Sequence, residues 1–217
     1  MLDFLKLAQL YFPYILRGAI VTLELTVLAL IGSIVLGLLT AFARMSKQPW
    51  LRAAAGTYIE LIRATPALLQ LFIIYFGLTS FDIRLDPFSA AVLTLGLIGG
   101  AYAAEVFRAG IEAVDRGQYE AARSLGMPSP LAMRRIILPQ AAVLILPPFT
   151  NFVIAMVKDT SLALTIAVPE IMYRSYDAAS QSFRSLEIYV MAGIIYVAIC
   201  LPLSQLAKGL ERRRVPR

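Results

Sequence analysis

Lys158-Asp159-Thr160-Ser161 sets a cation, an anion and two hydroxyls on four successive residues beside a long apolar stretch. Their depth decides whether that matters. Uncharged sequence fills Ile136–Val157, but Pro147-Pro148 interrupts it. Proline is tolerated best in the first turn of a helix, where its missing N–H is not needed. A membrane helix that begins near Pro148 and runs to about Val168 places Lys158 and Asp159 at its middle. Ionisable groups at that depth cost about 2.5–3.5 kcal/mol each on insertion scales and usually face a water-filled path. Adjacent helical residues point about 100° apart, so the two charges do not simply neutralise each other. They present opposite signs to neighbouring parts of a cavity, and Thr160 and Ser161 add hydroxyl hydrogen bonds. The competing reading has Lys158 and Asp159 pairing with other helices and only holding them together. Glu24, Glu60, Arg63 and Glu105 are the available partners.

Glu24 interrupts the first apolar run in its outer third, where it either lines a cavity or pairs with a neighbouring helix. Glu60 and Arg63 stand at i and i+3 and are expected to form a structural pair on one helix face. Glu105 stands in the same relation to Arg108. Other chemistry is excluded by what is missing. There is no histidine, hence no His-based proton relay, metal ligand or nucleophile activation. No G-x-x-x-x-G-K-[ST] motif is present to cradle nucleotide phosphates. The single cysteine, Cys200, forms no internal disulfide and makes no metal site. The chain is therefore expected to hydrolyse nothing itself and to carry no metal and no cofactor.

The elements that position these residues are legible in the composition. Of 217 residues, 59% are apolar and 16% charged, against roughly a quarter charged in a soluble domain. Leu25–Ala43, Ala64–Phe81, Pro87–Ala104, Ile136–Val157 and Ile188–Ala207 are free of charge. Each is close to the ~20 residues that a helix needs to cross the hydrocarbon core. The expectation is an all-α, polytopic transmembrane helix bundle of about five spans in one domain, 1–217, with spans at about 18–43, 57–81, 87–108, 148–168 and 187–207. Leu2–Leu16 carries Asp3 and Lys6 and lacks a cleavage site, so it does not read as a removable signal. Its aromatic residues suit an interfacial segment.

Short loops rich in Lys and Arg stay in the cytoplasm. Arg44, Lys47 and Arg52, then Arg108, Arg116, Arg123, Arg134 and Arg135, then Lys208, Arg212, Arg213, Arg214 and Arg217 fall on one side. Only Lys6, Arg17, Arg84, Arg174 and Arg184 fall on the other. The bias puts the N-terminus outside and the C-terminus in the cytoplasm. It explains the net charge of +6 through topology, without nucleic acid.

Residues 115–146 form a polar island on the cytoplasmic side. Asp115 reads as a helix N-cap with Gln118 three residues on, Gly126 as a left-handed helix stop, and Ser129-Pro130 as a restart. Two short helices joined by a sharp glycine turn follow. Ala121 and Ala122 leave a shallow surface for another protein's backbone, rimmed by Glu120, Arg123, Arg134 and Arg135. The plainer reading is a charged loop joining two spans.

Glu120-Ala121-Ala122, Gly126, Ile136, Leu138 and Pro139 together resemble the EAA loop of ABC-importer permeases, by which such a subunit docks on its ATPase. Arg63-Ala64-Thr65-Pro66-Ala67-Leu68-Leu69-Gln70-Leu71 is similar to the RGTPxLxQL stretch of permeases for polar amino acids. Tyr102–Gly110 resembles their AYxAEIxRGGI stretch, and Lys158–Leu162 their K-[DN]-TSL stretch. Ala64 and Ala109 depart from the family's usual glycines. The resemblance implies a type I ABC importer-like permease in the bacterial inner membrane. It implies a second permease subunit, identical or paralogous, two ATPase subunits holding ATP and Mg, and an extracytoplasmic amino-acid-binding protein. Under it, Lys158 would meet the carboxylate of a free amino acid and Asp159 its ammonium or a cationic side chain. Arg63, Thr65, Pro66, Gln70, Glu60 and Glu105 become structural or gating candidates. An ion-coupled secondary carrier and a scaffold that moves no solute are the rival functions.

Overall fold

The computed structural model describes residues 2–212 and is helical almost throughout. Arg213, Arg214 and Arg217, counted above among the cytoplasmic cations, lie outside the described residues. Among the described residues, four helices are long and apolar enough to cross a membrane, and a bent helix pair supplies a fifth candidate.

α1 (Leu2–Arg44) is one helix of 43 residues. At 1.5 Å per residue it is about 64 Å long, twice the ~30 Å hydrocarbon core. The expected separate segment Leu2–Leu16 is therefore not separate: the helix continues through Pro13. Packing explains the difference. Ile15 is fully buried, and Phe4, Leu7, Ala8 and Tyr11 lie against Ala178, Ala179, Ile188 and Met191 of two later helices. The C-terminal half of α1 runs alongside α4 (Pro87–Glu112), with Gly32 against Gly96 and Gly37 against Ala103. Asp86 caps α4, its carboxylate accepting the Ser89 N–H at 3.1 Å.

The span expected at 57–81 is broken. α2 (Pro49–Ala64) and α3 (Ala67–Phe72) meet at 105°. Pro66 has no N–H to donate, and it drives the preceding Thr65 into extended backbone (φ −112°, ψ 144°). A π-helical turn (Ile73–Gly77) and a 3₁₀ turn (Leu78–Phe81) complete the segment.

α5 (Arg116–Ser124) and α6 (Ser129–Ala132) form the island, and a π-helical turn (Met133–Ile137) leads into α7 (Leu138–Asp159). A helix start at Pro148 is not what forms. α7 runs through Pro147 and Pro148 without a break, and 136–146 is no separate element. Neighbouring helices re-satisfy backbone freed by proline in such spans. As a consequence Lys158 and Asp159 are the last residues of α7, followed by a 3₁₀ turn (Thr160–Ile166).

Ala167 then adopts the left-handed conformation (φ +62°) and the chain turns into α8 (Ile171–Ser182). The sequence reading had no helix there. α9 (Ser185–Arg212) closes the bundle against α7 and α8.

Candidate functional site

α4, α7 and the α2–α3 break enclose a cavity of ≈ 430 Å³ lined by Ala67, Leu95, Ile98, Gly99, Tyr102, Val106, Phe152, Ala155, Met156 and Asp159. Its wall is apolar except for Asp159 and the hydroxyl of Tyr102. Asp159 also borders the adjoining crevice beside Leu71, Thr94 and Leu162. Ligand pockets of roughly 300–1,000 Å³ with few polar groups are the usual form of a small-molecule site.

The four residues singled out at 158–161 do not converge. Asp159 alone faces the cavity. Lys158 is exposed and lies on the α9 side, within electrostatic reach of Cys200. Thr160 is fully buried and its hydroxyl donates to the Val157 carbonyl at 2.7 Å, so it is not free for a solute. Ser161 is half-buried and lines neither space. The reason is the tighter 3₁₀ winding after Asp159, which turns the next side chains inward. Glu24 is exposed in a different groove, with Ile20, Leu23, Val27, Leu28 and Phe88. It neither lines the Asp159 cavity nor meets an ion-pair partner among the described residues.

The break between α2 and α3 is stapled by its own side chains. Gln70 Nε2 donates to the Ile62 carbonyl (2.8 Å), the Thr65 carbonyl (3.1 Å) and Thr65 Oγ1 (2.8 Å). Thr65 Oγ1 donates to the Leu61 carbonyl at 2.9 Å. Thr65, Pro66 and Gln70 thus come together as one unit, which fixes where Ala67 meets the cavity.

The expected Glu60–Arg63 pair is absent among the described residues. Arg63 instead places its guanidinium 5.6 Å from the centre of the Tyr102 ring, and Glu60 stays exposed. An aromatic face is available to Arg63 at short range, and an exposed i, i+3 ion pair contributes too little to compete. Glu105 does pair with Arg108, which bonds it through Nε (3.3 Å) and Nη2 (2.7 Å) and also reaches Glu112 (2.6 Å).

At the island, Asp115 caps α5 by accepting the Gly117 N–H at 2.7 Å. Gln118 takes no part in that cap; its Oε1 accepts from Gln140 Nε2 at 3.0 Å and ties α5 to α7. Gly126 has φ +70°. Met127 N donates to Ala122 O (3.0 Å) and Gly126 N to Arg123 O (2.9 Å), the two bonds of a Schellman stop. The N-cap position of α6 falls on Pro128, which makes no side-chain cap bond, and Ser129 is already the first helical residue. Ala121 and Ala122 do not share one surface: Ala122 is fully buried and only Ala121 is exposed, because they point about 100° apart. Glu120, Arg123, Arg134 and Arg135 are exposed around Leu125, which is 78% accessible. Beneath them Ile111, Val114, Ile137 and Ala141 form a small core flanked by Tyr119. Burial, then the Glu112 carboxylate, push the Tyr119 hydroxyl up.

Two residues were missed from sequence. Glu170 is fully buried and caps α8, accepting from Met172 N (2.9 Å), Tyr173 N (2.7 Å) and Tyr196 Oη (3.2 Å). The preceding Pro169 was its only signal. Tyr102, quoted above only within a longer stretch, forms the wall between the Asp159 cavity and a second space beside Arg63.

The L-cystine transport system permease protein TcyB of Bacillus subtilis (strain 168) is 41% identical over 206 residues, covering 94% of this chain and 88% of that protein. The glutamine transport system permease protein GlnP of Escherichia coli (strain K12) is 39% identical over 203 residues, covering 93% of each. A chain in the crystal structure of an amino acid ABC transporter with histidines superposes with a TM-score of 0.91 at 40% identity, covering 98% of this chain and 99% of that one. Residues 33–216 match the family described as binding-protein-dependent transport system inner membrane component, and the chain belongs to that family.

Proposed function

We propose that the chain is the membrane subunit of an ATP-driven bacterial importer for a polar amino acid. The observation that carries this reading is Asp159: a carboxylate at the end of a membrane helix, facing an otherwise apolar cavity of ≈ 430 Å³. A carboxylate in apolar surroundings without an ion-pair partner among the described residues needs a cation from elsewhere. The ammonium of an amino acid, or a cationic side chain, supplies it. Lys158, on the α9 side, is left to meet a carboxylate only if the solute or a second subunit reaches it.

The pronounced cation bias of the loops supports an outside N-terminus and a cytoplasmic island. With that orientation the α5–α6 knuckle, with exposed Ala121, Leu125, Arg123, Arg134 and Arg135, is the contact for a separate ATPase. Four or five candidate spans are few for a complete path, so a second permease subunit in two-fold arrangement completes it. An extracytoplasmic binding protein delivers the solute, and ATP with Mg is held on the ATPase subunits. Closure of the ATPases would push the knuckles together and rock the helices above. Membership of a binding-protein-dependent family argues against the ion-coupled carrier and the inert scaffold.

The test is uptake into proteoliposomes of the chain assembled with its ATPase and binding protein, using labelled L-arginine, L-glutamine and L-cystine. Uptake should require ATP and survive collapse of ion gradients. Uptake that persists without ATP or without the ATPase subunit sinks the reading.

A further inference from the structure

Tyr102 and Val106 wall two cavities at once. Above them lies the Asp159 cavity. Below them a second space of ≈ 480 Å³ follows α4 past Ala109, Gly110 and Ala113 towards the knuckle, and Arg63 and Glu105 border it. The two acids and the one base are not equivalent. Glu105 is held by two hydrogen bonds from Arg108. Arg63 has no carboxylate within ion-pair distance among the described residues and rests over the Tyr102 ring at 5.6 Å. A guanidinium is a rigid fork of donors that matches a carboxylate with two parallel hydrogen bonds. The two spaces therefore offer opposite ends of a zwitterion: Asp159 suits an ammonium and repels a carboxylate, whereas Arg63 does the reverse, the Glu105 carboxylate in its space being offset by its own pairing with Arg108.

We propose that Arg63 is a second, exit-side station for the transported amino acid, receiving its α-carboxylate after the molecule leaves Asp159, with Tyr102 as the partition between the two. A cation–π contact is weaker than a bidentate carboxylate–guanidinium pair, so an arriving carboxylate takes Arg63 from the ring and frees the ring to move. Departure of the solute returns Arg63 to Tyr102 and closes the way back. This rests on the amino-acid reading of the preceding subsection.

The test uses the complete complex in proteoliposomes, with ATP-driven uptake of labelled L-arginine, L-glutamine and L-cystine. Arg63→Gln should lower the maximal rate about tenfold, while the concentration of loaded binding protein giving half-maximal uptake stays unchanged, because the contact follows delivery. Arg63→Lys keeps the charge but loses the fork, and should recover only part of that loss. Tyr102→Leu removes the partition but leaves the receptor, and should cost distinctly less than Arg63→Gln. Co-purification of the ATPase with each variant establishes that it has folded. Equal losses in Arg63→Gln and Tyr102→Leu would make the pair a mere latch and overturn the proposal. So would Arg63→Gln transporting at the unaltered rate, or Arg63→Lys failing as badly as Arg63→Gln. If the unaltered complex moves none of the three amino acids, the functional reading falls with it; if it does and Arg63→Gln matches it, this inference falls alone.

Discussion

α4 has a tight side and a hollow side. Towards α1 it presents Gly96, Gly100, Ala103 and Ala104, all buried, and backbones approach closely there; Gly99 stands at the seam, against Ser33 of α1 and at the edge of the Asp159 cavity. Towards α2, α3 and α7 it presents Tyr102, Val106 and Ala109, and the two cavities open there. Small residues allow contact without charge, as is general for helix pairs in membranes. The charged groups of this region, Asp159, Arg63 and Glu105, all border the hollow side. On the function proposed above, the two sides do different work: the first holds the bundle together, and the second carries solute. Substitutions on the first should therefore change stability, and substitutions on the second should change transport at unchanged stability.

The largest effect is expected from Gly99→Val. A Cβ at Gly99 would stand 2.1 Å from Ser33 Oγ, 2.9 Å from Ser33 Cβ and 2.6 Å from Met156 Cε; the Met156 end can swing aside, but Ser33 Cβ is fixed to the α1 backbone. Overpacking of this kind typically costs about 1–3 kcal/mol, occasionally more. The expected outcome is a sharp fall in the detergent-purified, monodisperse fraction and in its thermal midpoint. A variant as stable as the unaltered protein would show that the close approach of α1 and α4 is incidental.

Asp159→Asn probes the other side. It keeps size and removes charge, so the thermal midpoint should not move, whereas uptake should fall about tenfold or more, the scale of one lost charge-assisted contact. The fall should be steepest for a cationic amino acid. Normal uptake of all three tested amino acids would mean that the carboxylate in the cavity serves packing alone, and the two sides of α4 would no longer differ in kind.

The tight side was partly legible in the sequence and the hollow side hardly at all. Ser33 and Gly37 stand at i and i+4, the small-residue spacing that lets helices approach closely, and the uncharged runs give the helical class. Gly126 gave the knuckle its turn because a left-handed residue has few alternatives to glycine. Boundaries failed where two local rules competed. Pro147-Pro148 reads as a helix start by local preference, yet tertiary neighbours carry α7 straight through it. Thr65-Pro66, inside an apolar run, read as continuous span, yet there the same residue type breaks the helix by 105°. At the break the Gln70 amide gives the freed backbone its partners, whereas after Pro148 the Thr150 hydroxyl donates to the Leu146 carbonyl within a continuous helix. Arg63 was assigned to Glu60 on spacing alone, because the ring that takes it, Tyr102, lies on another helix. Glu170 was passed over since its partners come from α8 and α9, which the apolar runs did not bring together.

Gly126→Ala sharpens the comparison by separating conformation from crowding. A Cβ there meets nothing within 4 Å, but the residue holds φ +70°. The expected loss is about 1 kcal/mol, from the left-handed backbone alone, and it is confined to the knuckle. The measurement is ATPase retention on purification, which should weaken while the thermal midpoint of the bundle stays put. A loss as large as that of Gly99→Val would mean that the knuckle, not the α1–α4 contact, limits stability.

Ser33→Ala should do least, although Ser33 sits at the centre of the tight side and is fully buried. Its hydroxyl donates to the Ala29 carbonyl of its own helix at 2.7 Å and lies only loosely, at 3.3 Å, from the Gly96 carbonyl across the interface. Hydrogen bonds between membrane helices average about 0.6 kcal/mol, and this one is shared with a better-placed acceptor. Alanine keeps the Cβ and removes only the hydroxyl that Gly99 leaves room for. A shift of the thermal midpoint close to zero is therefore expected for Ser33→Ala, against a large one for Gly99→Val at the same contact. That pairing isolates the cause: if shape holds α1 to α4, the two variants must diverge, and if Ser33→Ala destabilises as much as Gly99→Val, the hydroxyl and not the absent side chain is what joins the helices.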